Sequence, residues 1–433
     1  MEIEFVDRSM SPWGGLKLLA EMLDRMNIRQ VLQSIGLPEQ GSNRGYPPEQ
    51  LILGYWISLW CGASAICHTE LLRQDRTLAE IFSFKQMPGH RAYSRYFKKF
   101  NQRENQDCFS SLYQWFFKRF NFDNLTLDFD STVMTRYGEQ QGAAKGYNPS
   151  KPGRVSHHPL MAFLSDHKMV ANCWLRPGNT SASNNFLAFL QDTLGKLEGK
   201  KVGLVRADSG FCNKQVIEAL QNQKIHYIIA ARLTSTVKYS IIRHKTWVAI
   251  TDGIEVSETT YQADGWANAE RLILVRQECS KRKKAVGKLI QSGVLFPEEY
   301  DADQYRYSCY ITDLDLPASI VWSSYRARAE AENRIKELKY DFAMDSIVQQ
   351  DFWATEAMIN MTIMAYNLMS LFRLVVINSP KQQMLKTIRM KFLAIPTYIQ
   401  KHSGKKTLKL ALALKHRPVF LSLWGRAKEF TVT

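Results

Sequence analysis

Tyr325-Arg-Ala-Arg-Ala-Glu-Ala-Glu-Asn-Arg-Ile-Lys-Glu-Leu-Lys339 has no Gly, Pro or β-branched run, and nearly every residue in it is a good helix former. The composition predicts one helix over residues 324–341, with Ser323 and Ser324 offering side-chain oxygens to the N–H groups of its first turn. At about 100° per residue, Ala327, Ala331, Ile335, Leu338 and Phe342 share a stripe about 80° wide, the expected buried face. Tyr325, Arg328, Glu332 and Lys339 share an adjoining stripe about 60° wide, at the rim of whatever the helix packs against. On this stretch alone, a solvated face with an Arg328 and Glu332 i,i+4 pair, worth a few tenths of a kcal/mol, accounts for the same residues.

Just upstream, residues 236–316 are polar and β-rich. Asp252-Gly253 and Asp264-Gly265 separate alternating segments such as 246–250 and 271–276, a hairpin pattern, and residues 281–284 (Lys-Arg-Lys-Lys) suit an exposed loop. Residues 236–316 are therefore expected to be a β subdomain inserted into a larger core. That core begins in residues 123–235 with short apolar runs between turns. Strand 125–130 ends in Asp130-Ser-Thr, 158–165 and 169–175 form a hairpin pair, and helix 185–197 follows. Strand 202–208 then ends in Asp208-Ser-Gly, before helix 213–223 and strand 227–233. The expected result is a mixed α/β core, completed by residues 317–375, which hold the quoted helix and an apolar one over 357–372.

Residues 1–122 carry helical periodicity broken by Gly/Pro clusters and are expected to form an all-α, DNA-binding domain. Within 85–103 there are six basic residues, no acids and four aromatics, with Arg91, Arg95 and Lys98 at i, i+4 and i+7. That pattern suits phosphate contacts or a DNA groove, and equally a basic surface helix without a partner. Residues 376–433 are expected to be a basic helical tail. From 381 onward there are twelve Lys or Arg against the single acid Glu429, so most of the net charge of +16 (pI about 9.4) lies there. Such a balance suggests a polyanionic partner.

The chain has 433 residues and is 45% hydrophobic, which supports substantial cores and excludes a disordered protein. Its seven cysteines form no Cys-x2-Cys pair, so they read as reduced thiols of a cytosolic protein, with Cys61 and Cys67 in the core. No signal-peptide hydrophobic region opens the sequence, and the uncharged run 51–67, with Gly54, Gly62 and two tryptophans inside it, reads as a buried helix instead of a membrane span.

Phosphodiester chemistry in a core of this kind needs carboxylates that hold two divalent metals, one activating the attacking oxygen and one stabilising the leaving oxygen. Mg²⁺ prefers oxygen ligands and keeps several waters, so Asp130, Asp208 and Glu332 are enough, although each alone is also an ordinary cap or surface acid. Together, Asp130-Ser-Thr, Asp208-Ser-Gly and Tyr325-x2-Arg328-x3-Glu332-x6-Lys339 resemble the DDE transposases of bacterial insertion sequences, in the subgroup with the YREK signature. The run Ala144-Lys-Gly-Tyr-Asn-Pro-Ser-Lys-Pro-Gly-Arg-Val-Ser-His-His-Pro159 is similar to that subgroup as well, and the resemblance spans about residues 45–375.

The resemblance implies an RNase H-like core interrupted by a β insertion, with Asp130, Asp208 and Glu332 as catalytic metal ligands for Mg²⁺, replaceable by Mn²⁺. It implies that Tyr325, Arg328 and Lys339 grip backbone phosphates near the cleaved end. Relatives can stack an extruded base on an aromatic of the insertion, for which Trp247 and Trp266 are the candidates, each with a core role as the plainer alternative. Many relatives carry a bulky aromatic where this chain has Ala329. His157-His158 admit metal-ligand, DNA-contact and structural readings, and the Gly/Pro-rich loop before them favours the last two.

The implied activity is that of a cytoplasmic, nucleoid-associated transposase. It would bind double-stranded terminal inverted repeats, cleave them, and join the 3′-OH ends to target DNA as a homodimer, without membrane or small-molecule substrate. The alternatives are a metal-dependent nuclease that never joins strands, and a DNA-binding repressor whose acid site has decayed.

Overall fold

The computed structural model describes residues 1–41, 45–244, 246–279, 304–379 and 381–431. Its centre is a nine-stranded mixed sheet. In chain order the strands are β1 (Leu125–Ser131), β2 (Leu160–Leu164), β3 (Met169–Trp174), β4 (Val202–Ala207), β5 (His226–Ala230), β6 (Val248–Thr251), β7 (Ile254–Tyr261), β8 (Glu270–Glu278) and β9 (Tyr305–Thr312). Across the sheet they run β6-β7-β8-β9-β5-β4-β1-β2-β3. β1, β4 and β5 are parallel, with Asp128 opposite Arg206 and Ala207 opposite Ile229, so their carboxyl ends open on the same edge. β1 is buried on both faces, as expected where helices cover a sheet. Phe129 packs on one face against Phe186 and Phe189 of helix α1 (Phe186–Lys196), and Asp128 and Asp130 point to the other. Helix α2 (Lys214–Asn222) connects β4 to β5.

The described strands of the insertion, β6 to β9, do not form a sheet of their own. β9 pairs antiparallel with β5, Ile311 opposite Ile229, so the insertion extends the core sheet and covers what would otherwise be an open edge at β5. Ile254, Val256, Ile273, Val275, Tyr310 and Val321 pack as a small core on one face of this extension. The basic run 281–284 lies outside the described residues.

The stretch 324–341 is not one helix. α3 (Ala318–Arg326) ends, Ala327 and Arg328 make a tight turn, and α4 (Ala329–Tyr340) begins. At the turn, Arg328 N–H bonds Tyr325 O (2.9 Å) and Ala331 N–H bonds Arg328 O (2.9 Å), an i→i+3 pattern that tightens the chain. Ser323 and Ser324 cap nothing, because α3 already starts at Ala318, and the Ser323 hydroxyl donates within the helix to Ile320 O. Ala331, Ile335, Leu338 and Phe342 are buried as expected, but Ala327 is exposed at the break. Two charged residues join the buried face of α4. Arg334 donates to Leu164 O and Ser165 O, while Glu337 pairs with Arg373 and accepts from Leu385 N–H at 2.7 Å. Partners of this kind are what allow charges to be buried.

Helix α5 (Phe352–Phe372) is the hub of packing, with every residue from Ala354 to Phe372 buried. By length and composition it could cross a membrane, yet here it is enclosed by protein. Trp56 and Trp60, on the helix Pro48–Cys61, donate indole N–H bonds to Met361 O (2.8 Å) and Ala365 O (3.2 Å). Tyr113, on the helix Gln102–Lys118, donates to Asn360 Oδ1 at 3.2 Å. The expected buried run thus ends as a helix at Cys61, where Gly62 takes the left-handed conformation (φ 98°) that closes a helix terminus. Cys67 lies beyond that stop and is exposed, so only Cys61 of the pair is core. The N-terminal helices, the sheet and α5 share one hydrophobic core.

Asn367 of α5 covers the outer edge of β3, accepting from Val170 N–H (2.8 Å) and donating to Val170 O (2.9 Å). Asn367→Leu leaves both backbone groups buried without partners. It is expected to lower stability by roughly 2–4 kcal/mol, read as a lower melting midpoint.

The basic tail is not wholly helical. Thr397–His402 and Lys405–Leu410 form a hairpin through Ser403-Gly404, both with positive φ, and Met10–Ser11 adds a third strand. The two-residue turn suits hairpin twist, and the lysine-rich composition hid this pattern in the sequence. The helix Arg417–Glu429 then packs against Leu16–Arg25.

Candidate active site

The strand ends and the break between α3 and α4 meet at one edge of the sheet. Asp130 stands at the end of β1, nine-tenths buried. Its carboxylate lies 3.3 Å from the Arg328 guanidinium, which also donates to Phe129 O at 3.1 Å. Arg328 therefore pairs with a strand acid, not with Glu332 along its own helix, and these contacts are made possible by the turn at Ala327-Arg328.

Asp208 follows β4, and its Oδ1 accepts from Gly210 N–H at 2.8 Å. A Cβ on Gly210 would sit 2.8 Å from Ala182 Cβ and 3.0 Å from Asp208 Oδ1, so the Asp-Ser-Gly turn needs this glycine to keep the carboxylate in place.

Glu332 is exposed on the first turn of α4. Burial raises the Asp130 pKa to about 6; Arg328 opposes the rise, and Asp208 and Glu332 add to it. Asp208 and Glu332 are thus each close enough to Asp130 to act on it. Tyr325 packs on Tyr310 with the rings tilted by 43° (4.3 Å between centroids), and its hydroxyl is pushed up to about 12, by burial first, with Arg328 lowering it and Tyr310, Asp208 and Asp130 raising it. Lys339 donates to Val133 O at 2.6 Å and lies 3.5 Å from Asp345. Tyr325, Arg328, Glu332 and Lys339 therefore line the side of α3 and α4 that faces the end of β1.

Among the described residues, no three His, Cys, Asp or Glu side chains are drawn tightly round one point. The donors are nevertheless of the type a hard divalent cation takes. They are carboxylate oxygens alone, and burial, opposed by Arg328, holds Asp130 back from ionising.

The other sequence candidates sit elsewhere. Arg91 and Arg95 are exposed on the helix His90–Phe97, with Lys98 just past its end, while Tyr93, Tyr96 and Phe97 bury the opposite face. This helix is shorter than the 85–103 basic stretch. Trp247 is half-buried before β6, with the Arg276 guanidinium 4.6 Å from its ring centroid. Trp266 packs on Tyr261 beside Glu270, whose carboxylate accepts from Tyr227 near the start of β5, the end of the sheet away from Asp208. His157 is structural: Nδ1 accepts from Arg136 Nε (3.0 Å), Nε2 donates to Gln141 O (3.0 Å), and burial first of all pushes its pKa down to about 4.

Sequence reasoning passed over Asp128 and Arg206, which pair beneath Asp130 and Asp208 at 0% and 4% exposure. The signal was present, because Asp128-x-Asp130 and Arg206-x-Asp208 alternate at the strand period.

A comparison with family models matches residues 1–430 to the transposase DDE domain group 1. The chain belongs to the DDE transposases. As a member of that family it is a DNA transposase, a DNA-cleaving and strand-transferring enzyme of a kind that uses divalent metal ions. Among solved structures, this transposase is similar to a cryo-EM structure of the piggyBac transposase synaptic complex with hairpin DNA. The two are 12% identical over 89% of this chain and 81% of that one, with a TM-score of 0.44. The Mos1 transposase paired-end complex with left transposon end is 14% identical over 43% of this chain and 61% of that one, with a TM-score of 0.18. No curated protein matches.

Proposed function

We propose that this transposase binds the terminal inverted repeats of its own element, cleaves them, and joins the 3′-OH ends to target DNA by Mg²⁺-dependent transesterification at Asp130, Asp208 and Glu332. The observation that carries the reading is the Asp130–Arg328 pair at the carboxyl edge of β1 and β4, with Asp208 and Glu332 near enough to raise the Asp130 pKa. When bound there, Mg²⁺ supplies activation of the attacking oxygen and stabilisation of the leaving oxygen.

The chain's own groups do the rest. Asp130 and Asp208 hold fixed charge at the ends of rigid strands, and Glu332 brings the third carboxylate from the exposed side. Arg328, Tyr325 and Lys339 would hold a backbone phosphate as hydrogen-bond donors beside the acids. We read the β3-β2-β1-β4-β5 part of the sheet as the RNase H-like core. Arg91, Arg95 and Lys98 are assigned to end recognition, and two ends are held by a homodimer.

The deciding experiment incubates the protein with labelled inverted-repeat DNA, target DNA and Mg²⁺ or Mn²⁺. Joined products support the reading. Nicks alone would make the protein a nuclease, and a gel shift without cleavage would make it a repressor.

The tail's share is measured by salt. Lys405 and Lys409 lie on the exposed hairpin. Replacing both with Gln is expected to flatten the plot of log affinity against log salt by about 0.9 for each phosphate no longer neutralised. An unchanged slope would remove the tail from the DNA interface.

A further inference from the structure

We propose that Asp128 and Arg206 are positioning residues that hold the catalytic carboxylates in register; the inference rests on the metal-dependent reading above. The two residues are direct cross-strand partners in the parallel β1 and β4 pair. Arg206 Nε meets Asp128 Oδ1 at 2.6 Å and Arg206 Nη2 meets Asp128 Oδ2 at 2.9 Å, a bidentate fork. The remaining donors are committed as well, Nη1 to Ser324 O and Nη2 also to the Ser165 hydroxyl.

Each of these contacts reaches a part of the site. Asp130 and Asp208 follow Asp128 and Arg206 by two residues, so they stand one pleat along on the same face. Ser324 is the residue before Tyr325 and lies on the last turn of α3, just ahead of the break that presents Arg328 and Glu332. Ser165 ends the β2 edge, and its carbonyl accepts from Arg334 of α4. One buried guanidinium thus ties together both acid-bearing strands and the helix break.

A buried ion pair is a poor source of stability, since apolar side chains of similar volume commonly serve as well. What this pair supplies that they would not is fixed geometry under the carboxylates, the role that outer partners play for metal ligands.

The test compares full-length wild type with Asp128→Leu/Arg206→Met, which removes both charges together, and with Asp128→Asn. Mn²⁺ binding is measured by the paramagnetic signal of free Mn²⁺, alongside melting, gel shift on inverted-repeat DNA, and cleavage against Mn²⁺ concentration. The double variant is expected to melt cooperatively and bind DNA as wild type does, while Mn²⁺ affinity falls about 10- to 100-fold and excess Mn²⁺ restores cleavage. Asp128→Asn, which leaves the Arg206 guanidinium without its counter-charge, is expected to show the same loss with a lower melting point.

Wild-type Mn²⁺ affinity and cleavage in the double variant would overturn the inference, and so would failure of that variant to fold, which would make the pair a folding element only. Asp208→Ala separates the two readings. If it binds Mn²⁺ as tightly as wild type, the metal assignment fails and the inference falls with it. If Asp208→Ala loses the ion but the double variant does not, only the inference fails.

Discussion

Asp130→Asn, Asp208→Asn and Glu332→Gln are each expected to reduce strand cleavage on the order of 10³-fold or more while leaving binding to inverted-repeat DNA intact. The size follows from the reaction. Electrostatic stabilisation by bound divalent ions is worth several kcal/mol, and each 1.36 kcal/mol is roughly tenfold in rate. The amides keep the shape and remove the charge that holds the ions, so the loss reports ligation and not packing.

Glu330 is the internal control. It lies two residues before Glu332, about 200° away round the helix, exposed, with its Oε1 accepting a long 3.4 Å bond from Asn333. Glu330→Gln removes one negative charge from the same turn of α4, and cleavage is expected to stay at the wild-type rate. Parallel time courses on one labelled substrate decide the matter. Equal losses for Glu330→Gln and Glu332→Gln would mean that the helix contributes general charge and no specific ligand.

The parts of this site that were legible in the sequence are those set by local rules. β1 and β4 showed as short apolar runs ending in Asp-Ser, because strand alternation and turn residues act over a few positions. The apolar stripe of α4 showed for the same reason, through Ala331, Ile335 and Leu338.

What stayed hidden was decided by contacts far apart in sequence. Ala-rich propensity favours a continuous helix through Ala327 and Arg328, yet the chain turns there, where Arg328 reaches Phe129 O and Asp130, about 200 residues earlier. The stripe containing Arg328 was correctly placed beside the core, but its partner lay on another element. The pairing of β9 with β5 is equally non-local, and no hairpin signal in residues 246–312 distinguishes a free-standing β unit from a sheet extension. Arg334 and Glu337 read as surface charges because their partners, the β2 edge and Arg373, are invisible to helix periodicity.

The acidity of Asp130 gives the second large effect, through the pH dependence of stability. Burial raises its pKa from the ordinary 3.8 to about 6, with Asp208 and Glu332 adding to the rise and Arg328 and the Ser131 N–H opposing it. Between those values the folded protein holds a proton that the unfolded chain has released. Stability from this group is therefore fully present below about 4 and is lost as pH rises through about 6, a total of roughly 3 kcal/mol. Burial raises other acids as well, Glu337 and Glu356 among them, so the informative quantity is wild type minus Asp130→Asn, in which this contribution is absent. That difference in melting point should decline from pH 4 to pH 6.5 and then level off.

A divalent ion favours the ionised carboxylate, so the melting shift produced by Mn²⁺ should be small at pH 5, grow through pH 6 and plateau by about pH 7.5. Arg328→Met removes the one cation that Asp130 now faces at 3.3 Å. Both transitions should then move to higher pH, because the carboxylate becomes harder still to ionise. A Mn²⁺ shift that is flat from pH 5 to 8, or equal in wild type and Asp130→Asn, would show that Asp130 does not hold the ion. In that case the burial of an acid at the end of β1 would need another explanation.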